Sequence, residues 1–336
     1  MKFVRQYIIP RFIQYLLVMW LGITVIFFIP RMMPSDPVKS MVHSLQSQGT
    51  YLEPEAVEEM IHTLREMYGL EEGLFRQYLS FWKRLFVGDF GPSLYIFPTP
   101  VIELIAQALP WTAGLLLTTT VLGWIIGNIL GGLTGYFEKV KILKIIDGIM
   151  MFVRPIPYYL LALMLLILFA YLVPIFPLYG GYSSIGSRMT FTWSFVWDVI
   201  KHAFLPAMSL TLLNVAANHQ SMRLIIQGVK GDDYILYAKI GSVRERTIFF
   251  QYAMKNALLP QTTSLALSLG QIFGGALITE IVFSYPGLGF LLYRSIILSD
   301  YNMIMGITAI SVAAITTGIL IIDLLYPLLD PRIRFK

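Results

Sequence analysis

Residues 12–29 read FIQYLLVMWLGITVIFFI, eighteen positions without a charge, set behind Lys2, Arg5 and Arg11. A helix rises about 1.5 Å per residue, so such a run is long enough to cross a bilayer core of roughly 30 Å. It closes on Phe27-Phe28-Ile29-Pro30-Arg31, with no small-residue site at which a secretory signal would be cleaved. The run is therefore a retained transmembrane helix. Working outward, five further apolar segments follow, near 113–137, from 145 or 156 to 176, at 203–226, 264–283 and 303–325. Only 13% of the 336 residues are charged, too few to cover a soluble protein of this size, where about 25% is usual. The expected fold class is an all-α polytopic membrane protein with six transmembrane helices.

Several chemistries drop out. The chain has no cysteine, which removes disulfides, thiolate metal sites and cysteine nucleophiles. His43, His62, His202 and His219 form no metal-ligand spacing. The net charge of +5 comes from basic residues beside membrane segments rather than from one patch, so nucleic acid is not indicated. No Gly-Lys pair exists to build a phosphate loop, and any ATP must be held by another chain.

Three regions are expected: residues 1–30 with the first span, a polar region 31–110, and a core of five spans over 111–336 that includes a polar loop at 231–260. Region 31–110 predicts two amphipathic helices. One starts at Glu55, with Met60, Ile61, Leu64, Met67 and Tyr68 on one face and Gly69 as its stop. The other follows Glu72, with Phe75, Tyr78, Leu79, Trp82, Leu85 and Phe86 as an aromatic stripe ended by Gly88, suited to packing on the membrane domain or its interface. The second span carries Gly123, Gly127, Gly131 and Gly135 on one face, a pattern that admits another helix at close range. The third span has two possible starts. The early one puts Arg154 inside the membrane, and the late one leaves it as an anchor. With the N-terminus inside, pieces 1–11, 137–144, 223–260 and 328–336 hold fifteen Lys and Arg, against Arg188, Lys201 and Arg294 in the short outer loops. Both termini are then cytoplasmic.

The loop between the fourth and fifth spans runs Gly231-Asp232-Asp233-Tyr234-Ile235-Leu236-Tyr237-Ala238-Lys239-Ile240-Gly241-Ser242-Val243-Arg244-Glu245-Arg246 and closes on Asn256-Ala257-Leu258-Leu259-Pro260. Physically it is a short helix opened by Asp232 or Asp233 as N-cap, a turn at Gly241, and a second helix ending before Pro260. Such an element suits docking of a soluble partner. It resembles the EAA coupling loop of ABC importer permeases of the dipeptide/oligopeptide/nickel type. Asp233-Tyr234, Tyr237-Ala238, Glu245-Arg246 and Asn256-Ala257-Leu258-Leu259-Pro260 match in register. So do Gly88-Asp89-Phe90-Gly91-Pro92-Ser93, Glu280-Ile281-Val282-Phe283-Ser284-Tyr285-Pro286-Gly287-Leu288-Gly289 and Asp323-Leu324-Leu325-Tyr326-Pro327-Leu328-Leu329-Asp330-Pro331-Arg332-Ile333-Arg334. The likeness covers the chain in order. Two departures stand out: Leu236-Tyr237-Ala238 replaces the namesake triplet, and the family glycine would fall at residue 242, which is Ser242, with Gly241 one position early. A shifted turn register would accommodate that.

The resemblance implies a type I importer permease fold in a prokaryotic cell membrane, with region 31–110 extracytoplasmic. Implied partners are a second homologous permease, two ATP-binding subunits that hold ATP and magnesium, and an extracytoplasmic substrate-binding protein; no cofactor is bound by this chain. Asp233, Tyr234, Tyr237, Ala238, Lys239, Gly241, Glu245, Arg246, Asn256 and Pro260 are the expected coupling residues. Arg154, Asn214, Asn218, Gln271 and Glu280 are the candidates for the translocation pathway, although each Asn or Gln is equally suited to an interhelical hydrogen bond and Glu280 to ordering the Tyr285-Pro286-Gly287 turn. Oligopeptides are the first substrate expectation, oligosaccharides the second, nickel chelates a third. A membrane-embedded enzyme would need a carboxylate pair or a His-carboxylate set near one membrane face, and a passive channel would leave the docking loop without a purpose.

Overall fold

The computed structural model describes residues 4–32, 57–59, 61–63, 72–183, 192–270, 272 and 276–329. Its elements are helices: α1 (Ile9–Met32), α2 (Leu74–Val87), α3 (Val101–Tyr136), α4 (Lys141–Val153), α5 (Tyr158–Leu166), α6 (Trp193–Val229), α7 (Asp233–Ile240), α8 (Lys255–Gly270), α9 (Leu277–Val282), α10 (Leu288–Ile297) and α11 (Tyr301–Leu329). A π-helical stretch, Ile167–Leu172, extends α5, and the turn Glu245–Thr247 with π-helical Ile248–Met254 leads unbroken into α8. Four described helices, α1, α3, α6 and α11, are long and apolar enough to cross a membrane, and α4 with α5 makes a fifth as a bent pair.

The centre is the α3–α6 pair. A Cβ added at Gly123 would sit 2.4 Å from that of Asn214, at Gly127 2.6 Å from that of Asn218, at Gly131 2.3 Å from the His219 carbonyl, and at Gly135 2.8 Å from the Arg223 carbonyl. The glycine stripe is thus where the α6 backbone lies against α3, and the rising numbers on both sides make the two helices parallel. The other contacts alternate. Tyr15 meets Thr317 and Arg11 meets Asp323, so α1 and α11 are antiparallel. Gly132 meets Met254 while the Trp124 indole donates to the Gln261 carbonyl, so α3 and α8 are antiparallel. The start of α1 and the end of α11 consequently lie on the same side.

Around this pair, Val101, Ile105, Leu288, Met303 and Ile307 form a core between α3, α10 and α11 at the end opposite α7. There α2 packs on α1 through Phe81 against Ile23 and Phe27, with Tyr78, Trp82 and Leu85 beside it. The aromatic stripe divides: those residues pack, whereas Phe75, Leu79 and Phe86 remain exposed. Gly88 ends α2 in the left-handed region at φ 74°. Of the Glu55–Tyr68 helix, only 57–59 and 61–63 are described, and they are helical.

Four expectations change. The 110/111 boundary falls inside α3, which begins at Val101 and runs through Pro110; Glu103 and Gln107 interrupt the apolar run without interrupting the helix. The fourth span also starts early, at Trp193, so α3 and α6 each run about 55 Å at 1.5 Å per residue. The third segment is broken instead of continuous from either expected start: α4 and α5 meet at 104° across Arg154–Pro157, and Arg154 is exposed in that turn. The helix after the polar loop does not end before Pro260 but continues to Gly270. Proline removes one donor and crowds one carbonyl, and a helix packed among neighbours tolerates both.

Candidate functional site

Helix α7 is built to be seated on one face and bare on the other. Asp232 takes the N-cap position in extended conformation. Ile235 and Ala238, three apart, are buried against Met222 and Ile226 at the end of α6, Tyr136 at the end of α3, and Ile248, Phe249, Ala253, Met254 and Ala257 of the following helix. On the other face Leu236, Tyr237 and Ile240 are 54%, 69% and 70% exposed. Exposed apolar side chains clustered on one face of a short helix mark an interaction surface.

Tyr136 organises the seat. Its hydroxyl donates to Glu245 Oε2 at 2.7 Å, its carbonyl accepts from Lys230 Nζ at 3.1 Å, and Lys239 Nζ lies 5.9 Å from its ring centre. Asn256 Nδ2 donates to the Tyr234 hydroxyl at 3.2 Å and to the Tyr252 carbonyl at 2.8 Å. Asp233, Lys239, Gly241, Arg246 and Pro260 are exposed. Among the expected coupling residues, then, Tyr237 and Lys239 face outward, Tyr234, Glu245 and Asn256 hold the seat, and Ala238 is turned into it. Leu236 and Ile240, on the bare face, were missed because they match no motif; Tyr136 was missed because it comes from a distant helix.

The turn register is not shifted. The Ser242 N–H donates to the Lys239 carbonyl at 3.0 Å and the Val243 N–H to the Ala238 carbonyl at 3.1 Å, the paired bonds of a Schellman cap. Ser242 itself takes the left-handed conformation at φ 54°, whereas Gly241 has φ −71°.

The pathway candidates separate. Asn214 lines a cavity of about 460 Å³ with Leu116, Thr120, Tyr158, Ser268 and Thr279, drawn from α3, α5, α6, α8 and α9. Asn218 Nδ2 donates to the Asn214 carbonyl, one helical turn back at the Gly127 contact. Glu280 is fully buried and does not line the cavity: it accepts from Thr112 Oγ1 at 2.7 Å and from the Gly289 and Phe290 N–H groups at 2.6 and 3.1 Å, capping α10. Gln271 lies outside the described residues. The hydroxyls of Thr120, Tyr158, Ser268 and Thr279 escaped sequence reading, since four helices far apart in sequence bring them together. Thr279 Oγ1 is buried without a hydrogen-bond partner.

Residues 127–335 match the family described as binding-protein-dependent transport system inner membrane component. The chain is similar to the oligopeptide transport system permease protein AppB of Bacillus subtilis, at 33% identity over 94% of this chain and 95% of that protein. It is likewise similar to the dipeptide transport system permease protein DppB of Lactococcus lactis and the glutathione transport system permease protein GsiC of Escherichia coli K12. Each is 26% identical, over 98% of this chain and 99% of the relative.

Proposed function

This chain belongs to the family of binding-protein-dependent transport system inner membrane components, and from that premise we propose that α7 is the contact through which ATP hydrolysis drives oligopeptide import. The chain is a multi-pass membrane permease subunit of an ABC importer and not an enzyme; ATP hydrolysis belongs to separate subunits, and a substrate-binding protein is a further partner. The proposal adds the finer assignments. Leu236, Tyr237 and Ile240 enter a groove of an ATP-binding subunit while Ile235 and Ala238 hold α7 to the permease. The complex contains two such subunits, a second homologous permease and one binding protein, and both termini of this chain are cytoplasmic. The 460 Å³ cavity at Asn214 is part of the substrate path.

The observation that carries this reading is the two-faced character of α7, buried apolar within and exposed apolar without. Coupling requires the contact to differ in free energy between the nucleotide states, and a short helix rigidly seated on the ends of α3 and α6 transmits such a difference to spans that line the cavity. Oligopeptide is the substrate class because relatives covering the whole chain are named for oligopeptides, dipeptides and glutathione.

Tyr237→Asp tests it by placing a charge on the bare face without touching the seat. The expected result is a folded permease that retains less than about a tenth of its ATP-binding subunit on copurification, since truncating or charging an interface anchor costs about 2 kcal/mol or more. Normal retention and normal peptide uptake would overturn the assignment. Growth on oligosaccharides instead of peptides, in a strain dependent on this permease, would redirect the substrate class alone.

A further inference from the structure

An ionic cluster next to the α7 seat takes no part in holding it. On α6, His219 is buried and Arg223 half-buried; on α4, Asp147 faces both. Asp147 Oδ1 lies 3.1 Å from Arg223 Nε and 3.8 Å from His219 Nε2, and His219 Nε2 is 2.9 Å from Thr134 Oγ1 of α3. The Arg223 Nε–H is not aimed at the carboxylate, so this is an ion pair without an aligned hydrogen bond, and His219 Nδ1 is buried with no partner. Taking ionisable side chains out of water is costly unless they are paired.

Position gives the cluster its meaning. Arg223 directly follows Met222, and Ile226 lies one turn on; these two α6 side chains floor the α7 seat. Helix α4 has no buried residue, and Ile142, Ile145, Ile149 and Phe152 on it are exposed. Asp147 is its one ion-pair partner to the bundle among the described residues. At its far end α4 turns through 104° into α5, whose first residue, Tyr158, lines the 460 Å³ cavity. A helix with no fully buried side chain is thus tied by a carboxylate to the α6 end beside the coupling seat and joined through a bend to the cavity.

We propose that Asp147 is a positioning residue of transport: its ion pair with Arg223, beside His219, carries displacement of the α6 end into α4 and through the bend to Tyr158 at the cavity. The inference rests on α7 being the ATPase contact. A loose ion pair suits this role, because it holds two helices at a set distance while permitting them to slide, where interlocked apolar packing would not.

The test uses the full importer, with its second permease, ATP-binding subunits and binding protein, in proteoliposomes, and reads peptide taken up per ATP hydrolysed. Asp147→Asn is nearly isosteric and removes the charge. The expected result is an intact complex in which uptake per ATP falls about tenfold, within the usual range of coupling between sites. Exchanging the charges, Asp147→Arg with Arg223→Asp, is expected to restore the ratio to within about threefold of the parent. An unchanged ratio in Asp147→Asn, loss of subunits from that complex, or failure of the exchange to restore the ratio would each overturn the proposal. Failure of the α7 reading is separately visible: Tyr237→Asp would then leave ATPase retention and uptake unchanged in the same assay, whatever Asp147 does.

Discussion

Ser242 sits at φ 54°, in the left-handed region that costs an L-residue with a Cβ about 1–2 kcal/mol. Its own and its neighbour's cap bonds, Ser242 N–H to Lys239 and Val243 N–H to Ala238, hold it there. Ser242→Gly relieves the side-chain cost and adds back about 0.5–1 kcal/mol of unfolded-chain entropy. The expected net gain is about 0.5–1 kcal/mol, read as slower amide exchange over residues 233–241 than in the parent; faster exchange there would contradict the capping role. Glu280 illustrates the opposite case. A buried carboxylate that accepts from Thr112 of α3 and from two N–H groups at the start of α10 orders the 284–289 turn from within, the role its sequence position favoured over the pathway.

Between elements, the α3–α6 interface depends on absent side chains. At Gly127 a Cβ would lie 2.6 Å from the Asn218 Cβ and 2.7 Å from the Val215 carbonyl, both on a helix that cannot retreat locally. Gly127→Ala is expected to destabilise by about 1–3 kcal/mol, the usual cost of overpacking, seen as a lower thermal midpoint of the solubilised protein. Gly114→Ala on the same helix meets nothing within 4 Å and serves as the control, with a midpoint unchanged or slightly raised, because alanine favours a helix over glycine by about 0.5–1 kcal/mol. A midpoint for Gly127→Ala that matches the control would mean that no close approach depends on the glycine.

At the scale of the whole molecule, α3 and α6 run parallel with α8 antiparallel to them, which puts the α7 seat at the end of α3 and the loop at Tyr95, Ile96 and Phe97 at its start, at opposite ends. That loop is clipped by Asp300, which accepts from the Tyr95 N–H and from the Ser93 hydroxyl, and Ile96 and Ile240 are both exposed. Because the chain has no cysteine, single substitutions give clean accessibility labels. In intact cells, Ile96→Cys is expected to react with a membrane-impermeant maleimide, and Ile240→Cys only after permeabilisation. Labelling of Ile240→Cys from outside would reverse the orientation proposed for the molecule.

The sequence by itself determined what composition and local period encode: an apolar helical chain, the α2 stop at Gly88, the glycine stripe as a packing face, and a short polar-loop helix that opens at Asp232 or Asp233. These signals are local, since a free-energy preference of a run or a turn is written in consecutive residues. Only the tertiary structure decided which face of α7 is bare, that Ala238 and Glu280 turn inward, that a helix continues through Pro260, and that Asp147 meets Arg223. Each of those outcomes depends on contacts between side chains scores of residues apart or on burial supplied by neighbouring helices. Hydropathy along the chain is blind to both, because the same leucine, proline or carboxylate has different energetics beside lipid, water or another helix.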